Sequence, residues 1–325
     1  MKAVVYTKYG SPDVLHFTET DKPFPKDDEV LIKVYAAALN AADWRLLRAK
    51  PFIVRLFNGF INPKFHILGA DIAGRVEAVG SNVKQFKPGD EVFAELGLAR
   101  CGGLAEYVCG LEYSIALKPA NLSFEEAAAV PMAALTALQG FRDVGQIKAG
   151  QKVLINGASG GVGTFAVQIA KSFGAEVTAV CSARNLETAR SIGADHVIDY
   201  TKEDFTKSGK KYDIIFAANG YHSIFDYKRS LTPNGIYVLA GGSSLQMFQA
   251  MFIAPLISKT GDKKMKFLSA KVDQNDLNFL REIIEAGKLK PVIDRRYPLS
   301  ETADAFRYID EGHAKGKVVI VVEQS

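Results

Sequence analysis

A short apolar strand, a glycine-rich turn and a helix with one apolar side follow one another between Lys152 and Phe173. The turn covers residues 156–163 and reads NGASGGVG. Residues without a side chain let the backbone approach a phosphate, and the N–H groups and positive dipole at the helix start attract the anion. Glycines also mark ordinary tight turns, but the flanking strand and helix supply the context that a dinucleotide site requires. We therefore predict that the turn binds a pyrophosphate through Ala158, Ser159, Gly160, Gly161, Val162 and Gly163.

The pattern of apolar runs changes along the chain and predicts two domains. Short strand candidates separated by Pro, Gly and Asp turns occupy the first third, which favours a compact β-rich domain. From Lys152 onward, strand candidates alternate with helices, which predicts an α/β fold with a doubly wound parallel sheet. These later candidates are residues 153–155, 176–180, 196–198, 213–216, 235–240 and 266–270. We assign residues 1–122 and 289–325 to the β-rich domain and residues 123–288 to the dinucleotide-binding domain.

Composition excludes several classes of protein. The 325 residues carry a formal net charge of +4, with Lys and Arg scattered along the chain, so we expect no nucleic-acid partner. Cys101, Cys109 and Cys181 show no paired spacing, which argues against a disulfide framework and a structural zinc site. The first residues run directly into a strand-like segment, and the apolar stretches are too short or interrupted to span a bilayer. We expect a cytoplasmic protein without a transmembrane segment.

The residues after the second strand of the predicted sheet indicate which dinucleotide binds. In such folds an acidic residue there hydrogen-bonds the ribose of NAD, whereas an arginine accommodates the extra phosphate of NADP. This strand leads into Ser182 and Arg184 without an acid. Because a guanidinium can bind a phosphate through two hydrogen bonds, we predict NADP(H). The alternative is that Arg184 only caps a surface turn.

Residues that follow the later strands are further candidates for cofactor contact. Ligands of doubly wound folds bind at the carboxyl ends of the parallel strands. Asn219 follows the fourth strand candidate, and Gly241, Gly242 and Ser243 follow the fifth. We therefore predict that these four residues contact the cofactor.

Several runs resemble the zinc-independent quinone oxidoreductase branch of the medium-chain dehydrogenase/reductase superfamily. They are residues 38–43 (ALNAAD), 68–74 (LGADIAG), 86–92 (FKPGDEV), 135–139 (LTALQ), 156–163 (NGASGGVG), 193–200 (GADHVIDY) and 312–319 (GHAKGKVV). The insert at residues 51–67 looks most like the chloroplast-envelope quinone oxidoreductase-like and mitochondrial reticulon-4-interacting members. The resemblance implies a GroES-like catalytic domain, a Rossmann domain, a short return to the first domain, and a homodimer.

The resemblance implies three catalytic residues. Asn40 is expected to hydrogen-bond near the nicotinamide or the substrate carbonyl, with an ordinary turn residue as the alternative. Asp43 matches the same substrate-side motif, or it simply caps the helix that begins at Trp44. Thr136 is expected to present its hydroxyl to the nicotinamide, with a threonine in a helix interior as the alternative. Asn40 and Thr136 are thus predicted to contact the cofactor as well.

Three further positions are implied to meet the cofactor. Tyr200 matches a tyrosine beside the adenosine phosphate, and the alternative is surface packing. Gly316 and Lys317 match the returning segment near the nicotinamide half, although a lysine there could be only solvated. These residues complete the predicted cofactor site.

The resemblance also separates this chain from the zinc alcohol dehydrogenases. Those enzymes place Cys, His and Glu where this chain has Asn40, Ala70 and Asp71. Alanine cannot ligate a metal, and the remaining pair is too sparse for a three-ligand catalytic site. The four-cysteine structural lobe is missing too, since residues 94–103 contain Cys101 alone. We therefore predict no metal.

An acceptor reduced without a metal must take up hydride readily. Quinones and α,β-unsaturated carbonyls qualify, because the charge delocalises onto an oxygen that needs only hydrogen-bond donors. We predict an NADPH-dependent oxidoreductase acting on small apolar quinones, enones or enals. The alternatives are a carbonyl or alcohol oxidoreductase and a weakly catalytic NADPH-binding interaction protein. The insert's apolar side chains are expected to line the acceptor pocket, touch a membrane peripherally or form plain core: Phe52, Ile53, Leu56, Phe57, Phe60 and Ile61.

Overall fold

The computed structural model describes residues 1–98, 100–242, 244–312 and 314–323. The strands, in chain order, are β1 Lys2–Val5, β2 His16–Glu19, β3 Glu29–Leu39, β4 Asp71–Val79, β5 Glu91–Glu95, β6 Tyr107–Leu111, β7 Ile115–Leu117, β8 Lys152–Asn156, β9 Glu176–Cys181, β10 His196–Asp199, β11 Tyr212–Ala217, β12 Leu231–Leu239, β13 Lys264–Phe267, β14 Ile293–Pro298 and β15 Lys317–Val321. The α-helices are α1 Ala41–Arg48, α2 Val54–Asn58, α3 Phe124–Ala128, α4 Pro131–Gln139, α5 Gly161–Ser172, α6 Leu186–Ser191, α7 Ile224–Ser230, α8 Ser244–Phe248, α9 Ala254–Thr260, α10 Gln274–Glu285 and α11 Thr302–Asp310. Each strand predicted after Lys152 overlaps an observed strand.

Residues 134–271 and 288–290 form one compact unit, which is built on a parallel sheet. Its strand order is β10-β9-β8-β11-β12-β13, and every neighbouring pair is parallel. The apolar residues Val153, Leu154 and Ile155 of β8 are fully buried, as expected for a sheet covered on both faces. The order reverses between β8 and β11, and ligands of such folds bind outside the carboxyl ends of the strands at that reversal. The predicted doubly wound Rossmann fold is confirmed.

Residues 1–133, 272–287 and 291–325 form the other compact unit, which is β-rich. Its main sheet has the order β14-β15-β3-β4-β5-β7, with β6 also paired to β3, while β1 and β2 pair separately. Strand β3 lies between β15 and β4 and is antiparallel to both. Val30, Ile32 and Ile72 belong to the core of this unit, together with Phe306 from α11. This unit is the predicted GroES-like domain. Its last strand, β15, belongs to the C-terminal segment that was predicted to return to this domain.

The compact units differ from the predicted domains in three segments, residues 123–133, 272–287 and 289–290. Helix α3 packs against β3 and β4, and its Phe124 stacks on Tyr35 with ring centroids 4.4 Å apart. Helix α10 packs against β7, and Asn121 donates a hydrogen bond to the Ile284 carbonyl. Both helices therefore belong to the β-rich unit. Their own residues do not reveal this, because membership is decided by packing partners that are distant in sequence.

The insert at residues 51–67 exposes many of its apolar side chains, whereas Val54 and Ile67 pack against the core. Six of them are each more than half exposed: Phe52, Ile53, Leu56, Phe57, Phe60 and Ile61. Polar contacts hold the segment, since the buried Asn58 donates to the Tyr6 hydroxyl and accepts from the Phe65 backbone N–H. The alternative that these six side chains belong to the hydrophobic core is therefore wrong. None of the helices within the described ranges has the length and apolar character needed to cross a bilayer.

Candidate functional site

The glycine turn leaves β8 and enters α5 through two positions, Gly157 and Gly163, that require glycine. Gly157 has φ +83°, and its N–H and that of Ala158 both donate to the Val180 carbonyl at the end of β9. A Cβ on Gly163 would lie 2.1 Å from the Gly157 carbonyl oxygen, so α5 starts in direct contact with the turn. The first N–H groups of α5 have no partner within the helix. The turn therefore presents backbone donors and a positive helix end at the carboxyl edge of the sheet.

The space beside Gly160 is open. The atom nearest to a Cβ built on Gly160 is the Gly157 carbonyl oxygen, 3.8 Å away. Gly160 is also the N-cap of α5, with an ordinary extended backbone (φ −80°, ψ 174°). Neither strain nor crowding within the described residues requires a glycine here. An open, uncrowded glycine at the start of α5 agrees with the pyrophosphate prediction, and contact of Gly160 with a phosphate stays a prediction.

Ser182, Arg184 and Tyr200 lie at the same edge, one or two strands away from the turn. Ser182 follows β9 and accepts a hydrogen bond from Asn185 through its hydroxyl (3.1 Å). Tyr200 follows β10, and its N–H donates to the Cys181 carbonyl. Arg184 is exposed, and no described residue forms an ion pair or hydrogen bond with it. A guanidinium without a protein partner next to a hydroxyl is suited to a phosphate.

On the other side of the turn, the ends of β11 and β12 complete this edge. The Asn156 carbonyl at the end of β8 accepts from the N–H groups of Ala218 and Asn219. The Asn156 side chain donates to the Tyr227 hydroxyl over 2.8 Å, a partner that the sequence did not indicate. A Cβ on Gly241 would lie 2.5 Å from the Ala218 carbonyl oxygen. Asn219, Gly241 and Gly242 thus follow strands that end beside the turn, and Ser243 lies outside the described residues.

A buried polar cluster forms in the β-rich unit where β15, β3 and β4 are neighbours. Lys317 Nζ lies 2.5 Å from Asn40 Oδ1 and 3.3 Å from Asp71 Oδ2. Asn40 Nδ2 donates to Asp71 Oδ2 over 2.9 Å, and Asp71 Oδ1 accepts from the Met132 backbone N–H. Lys317 is 2% exposed and Asp71 is 0% exposed. Lys317 is therefore not a solvated surface lysine, and Asn40 is more than a turn residue.

Asp43 belongs to the same region but is fully engaged with the backbone. One of its carboxylate oxygens accepts from the Asn40 N–H (2.9 Å) and the other from the Gly69 N–H (3.0 Å). The first contact is the helix cap foreseen as the alternative for this residue. The second ties the start of α1 to the segment before β4, where Gly69 has φ +98°. A direct catalytic role for Asp43 stays a prediction.

Lys317 shares this part of the β-rich unit with three buried acids, Asp43, Asp71 and Glu95. Burial raises the pKa of Asp43 to about 6, although its backbone hydrogen bonds oppose the rise. Burial also raises the pKa of Asp71, with the Lys317 ammonium opposing. Burial raises the pKa of Glu95 to about 8, and the charge of Asp71 adds to the rise. The cluster therefore retains protons in the neutral range.

The two remaining predicted positions lie in different units. Thr136 is buried in α4, within the dinucleotide-binding unit. Gly316 precedes β15 with φ +119°, and a Cβ there would lie 2.3 Å from the Val292 carbonyl oxygen. Gly316 thus lets β15 begin where Lys317 reaches Asn40. The contact of Thr136 with a nicotinamide stays a prediction.

Asp71 and Glu95 were not among the predicted site residues. Asp71 was named only as the residue that stands where the zinc alcohol dehydrogenases have a metal ligand, and no role was predicted for Glu95. A signal was present, since each acid interrupts an apolar run, at residues 68–74 and 92–96. Within the described part of the chain, no group of three or more His, Cys, Asp and Glu residues could hold a metal ion.

Two family models match the chain. The one described as "Alcohol dehydrogenase GroES-like domain" matches residues 26–139, and the one described as "Zinc-binding dehydrogenase" matches residues 192–320. Among solved structures, the quinone oxidoreductase from Coxiella burnetii has a TM-score of 0.87 and 30% identity, over 99% of both chains. An NAD-dependent alcohol dehydrogenase has a TM-score of 0.85 and 31% identity, over 99% of this chain and 100% of the other.

Curated relatives match along nearly the whole chain. The chloroplast envelope quinone oxidoreductase homolog of Arabidopsis thaliana is 37% identical over 98% of both chains. The NADPH-dependent alkenal/one oxidoreductase of the same plant is 37% identical over 98% of this chain and 79% of its own. The mitochondrial NAD(P)H oxidoreductase RTN4IP1 of Bos taurus is 36% identical, over 99% and 89%. A GroES-like domain followed by a parallel dinucleotide-binding sheet defines the medium-chain dehydrogenases and reductases. The chain belongs to the quinone oxidoreductase branch of that superfamily.

Proposed function

We propose that the protein is an NADPH-dependent reductase of quinones or α,β-unsaturated carbonyls. The observation that supports the proposal is the carboxyl edge of the parallel sheet, where the glycine turn and Arg184 follow adjacent strands and Arg184 has no partner among the described residues. NADPH, when bound, supplies a hydride for the acceptor. The names of the two Arabidopsis relatives agree with the predicted cofactor and acceptors. One is a quinone oxidoreductase homolog and the other is an NADPH-dependent alkenal/one oxidoreductase.

The β-rich unit supplies groups suited to an acceptor oxygen. Reduction of a quinone or enone places negative charge on that oxygen, and hydrogen-bond donors in a dry site stabilise it. We assign this role to Lys317 and Asn40, which are held by Asp71. Asp43 acts as a positioning residue, because both of its oxygens bind backbone N–H groups. Thr136 keeps its proposed contact with the nicotinamide.

The proposal is tested by steady-state kinetics with NADPH and NADH. Purified protein is mixed with each nucleotide and with para-benzoquinone, menadione or methyl vinyl ketone, and the reduced product is identified by mass spectrometry. We expect acceptor-dependent oxidation of NADPH, with kcat/KM for NADPH at least about tenfold above that for NADH. Binding of NADPH without turnover of any acceptor would reject the proposal and favour the weakly catalytic NADPH-binding protein.

An alcohol or carbonyl oxidoreductase is the second candidate. The solved NAD-dependent alcohol dehydrogenase and the zinc-binding family description favour it. The two functions are separated by adding a chelator, then zinc, and assaying alcohols with NAD⁺ and NADP⁺. Because alanine stands at position 70, we propose a zinc-independent enzyme whose quinone or enone reduction the chelator does not change. Activity on alcohols that follows the zinc concentration would establish the second candidate.

Assembly, location and acceptor contact complete the proposal. We propose a homodimer, which sedimentation velocity tests, and a cytoplasmic location, which fluorescence microscopy of a tagged chain tests. The names of several relatives place those proteins in chloroplasts or mitochondria. We assign the exposed apolar insert at residues 51–67 to acceptor contact. Retention of the protein on phosphatidylglycerol vesicles would support the peripheral membrane alternative instead.

A further inference from the structure

Glu95 is the acid of the buried cluster that has no partner. It ends β5 and pairs in register with Asp71, the first residue of β4. Residues directly opposite each other on neighbouring strands project their side chains on the same face of the sheet. Glu95 is 8% exposed, and no described residue hydrogen-bonds or ion-pairs with its carboxyl group. Asp43 and Asp71, by contrast, each accept at least two hydrogen bonds.

The charges that face Glu95 favour its protonated form. Asp71 on β4 and Asp43 on α1 are acids, and Lys317 on β15 is the opposing cation. Strand β7, the other neighbour of β5, carries no titratable side chain. The acids of the adjacent α3 are engaged elsewhere, Glu125 with Arg296 and Glu126 with the Ser123 backbone N–H. Burial next to acids disfavours another negative charge, so Glu95 holds a proton under neutral conditions.

We propose that Glu95 is the proton reserve of the reduction and acts through Asp71 and Lys317. This inference rests on the proposed function. Reduction of an enone adds a hydride, with its electron pair, to one carbon and a proton to the resulting enolate. NADPH is the reductant, and the Lys317 ammonium gives the proton and becomes an amine. The proton of Glu95 then moves through the Asp71 carboxylate to that amine, and the Glu95 carboxylate takes a proton from water.

One step of this path is a short contact, and the other joins two side chains that face each other across the β4–β5 pair. Asp71 Oδ2 is 3.3 Å from Lys317 Nζ, within reach for proton exchange between the two groups. Asn40 bonds to both and holds them in place. Lys317 and Asp71 have almost no exposed surface, whereas Glu95 keeps a small exposed fraction. Glu95 is therefore the acid of this path that water can recharge.

The test compares Glu95→Gln, Glu95→Asp and the matched control Glu29→Gln. Glu29 is equally buried in the same unit but is paired with Arg100. The first readout is the infrared C=O stretch of the protonated carboxyl, which should titrate near pH 8 in the wild type and be missing in Glu95→Gln. The second is the pH profile of kcat with NADPH and methyl vinyl ketone. Wild-type kcat should fall above pH 8, while Glu95→Gln has kcat about 10²-fold lower at neutral pH and no alkaline fall.

The control and the rescue decide between a proton reserve and a structural role. Glu29→Gln should keep the wild-type profile, and Glu95→Asp should restore the alkaline fall and part of the rate. An active wild type in which Glu95→Gln leaves kcat unchanged, or lowers kcat but keeps the alkaline fall, overturns the inference. A wild type with no C=O band that depends on Glu95 overturns it regardless of turnover. A wild type that shows this band but reduces no acceptor rejects the proposed function, and the proton reserve with it.

Discussion

The Lys317 ammonium lies 3.3 Å from the Asp71 carboxylate, and both groups are almost completely shielded from water. Removing a charge from water costs several kcal/mol, and a close partner compensates only when further hydrogen bonds satisfy the remaining donors and acceptors. Asn40 supplies such bonds to both partners, and the Met132 N–H supplies another to Asp71. The Lys317–Asp71 pair therefore depends on the Asn40 side chain and the Met132 N–H.

Lys317→Met should destabilise the protein strongly, because it leaves the Asp71 carboxylate buried without its cation. We expect the free energy of unfolding to fall by about 3–5 kcal/mol at neutral pH, measured by urea denaturation. The loss should shrink in acid, where Asp71 is protonated, and Asp71→Asn combined with Lys317→Met should recover part of it. Lys22→Met, which breaks the exposed pair with Glu77, is the control and should cost no more than about 1 kcal/mol. Equal losses for Lys317→Met and Lys22→Met would contradict the importance of burial.

The elements were predictable because their signals are local. Strand β8, predicted over residues 153–155, extends over Lys152–Asn156, and its apolar run is buried. Ser123 and Glu126 have the three-residue spacing of a capping box, and both of its hydrogen bonds are present at the start of α3. The change from closely spaced strands to strands that alternate with helices likewise predicted a β-rich domain followed by a parallel sheet. Hydrophobic periodicity and helix capping depend on residues only a few positions apart, so both can be recognised in a single sequence.

The cluster around Lys317 was not predictable, because it depends on strand pairing between distant segments. Lys317 and Asp71 are 246 residues apart in the chain. They meet because β15 pairs with β3 and β3 with β4, which no local pattern specifies. The register of β4 against β5, which places Glu95 opposite Asp71, is likewise invisible in the sequence. The exposure of apolar residues such as Phe57 and Phe60 is also not predictable from their own segment, because burial depends on whether another part of the protein packs against them.

Gly160→Ala should weaken NADPH binding without destabilising the protein. The new methyl group would lie 3.8 Å from its nearest protein atom, the Gly157 carbonyl oxygen, without a clash, but it projects where the pyrophosphate is expected. We expect the Kd for NADPH, measured by fluorescence titration, to rise at least about tenfold. The melting temperature should stay within about 2 °C of the wild type. Gly261→Ala, also without a close neighbour, is the control and should change neither quantity. Unchanged NADPH affinity in Gly160→Ala would place the phosphate elsewhere.

Arg184→Ala should lower the affinity for NADPH and leave the affinity for NADH unchanged. Charge-assisted hydrogen bonds to a phosphate contribute about 1.5–3 kcal/mol, so the Kd for NADPH should rise by roughly 10- to 100-fold. NADH lacks that phosphate and loses nothing. Arg190→Ala removes another exposed arginine of the same unit and serves as the control. The measurement is isothermal calorimetry with both nucleotides, and an equal loss for NADH would show that Arg184 does not recognise the extra phosphate.

Glu95→Gln should be more stable than the wild type in mildly alkaline solution. The pKa of Glu95 is raised from 4.5 to about 8, so between these values the unfolded chain releases a proton that the folded chain keeps. The wild type therefore loses stability as the pH rises through this interval, and glutamine, which does not ionise, removes that loss. We expect the variant to gain roughly 2–4 kcal/mol relative to the wild type between about pH 4.5 and about pH 8, measured by urea denaturation. Glu29→Gln, which removes an acid paired with Arg100, should show no such gain. Parallel stability curves for Glu95→Gln and the wild type would mean that Glu95 is ionised in the folded protein at neutral pH.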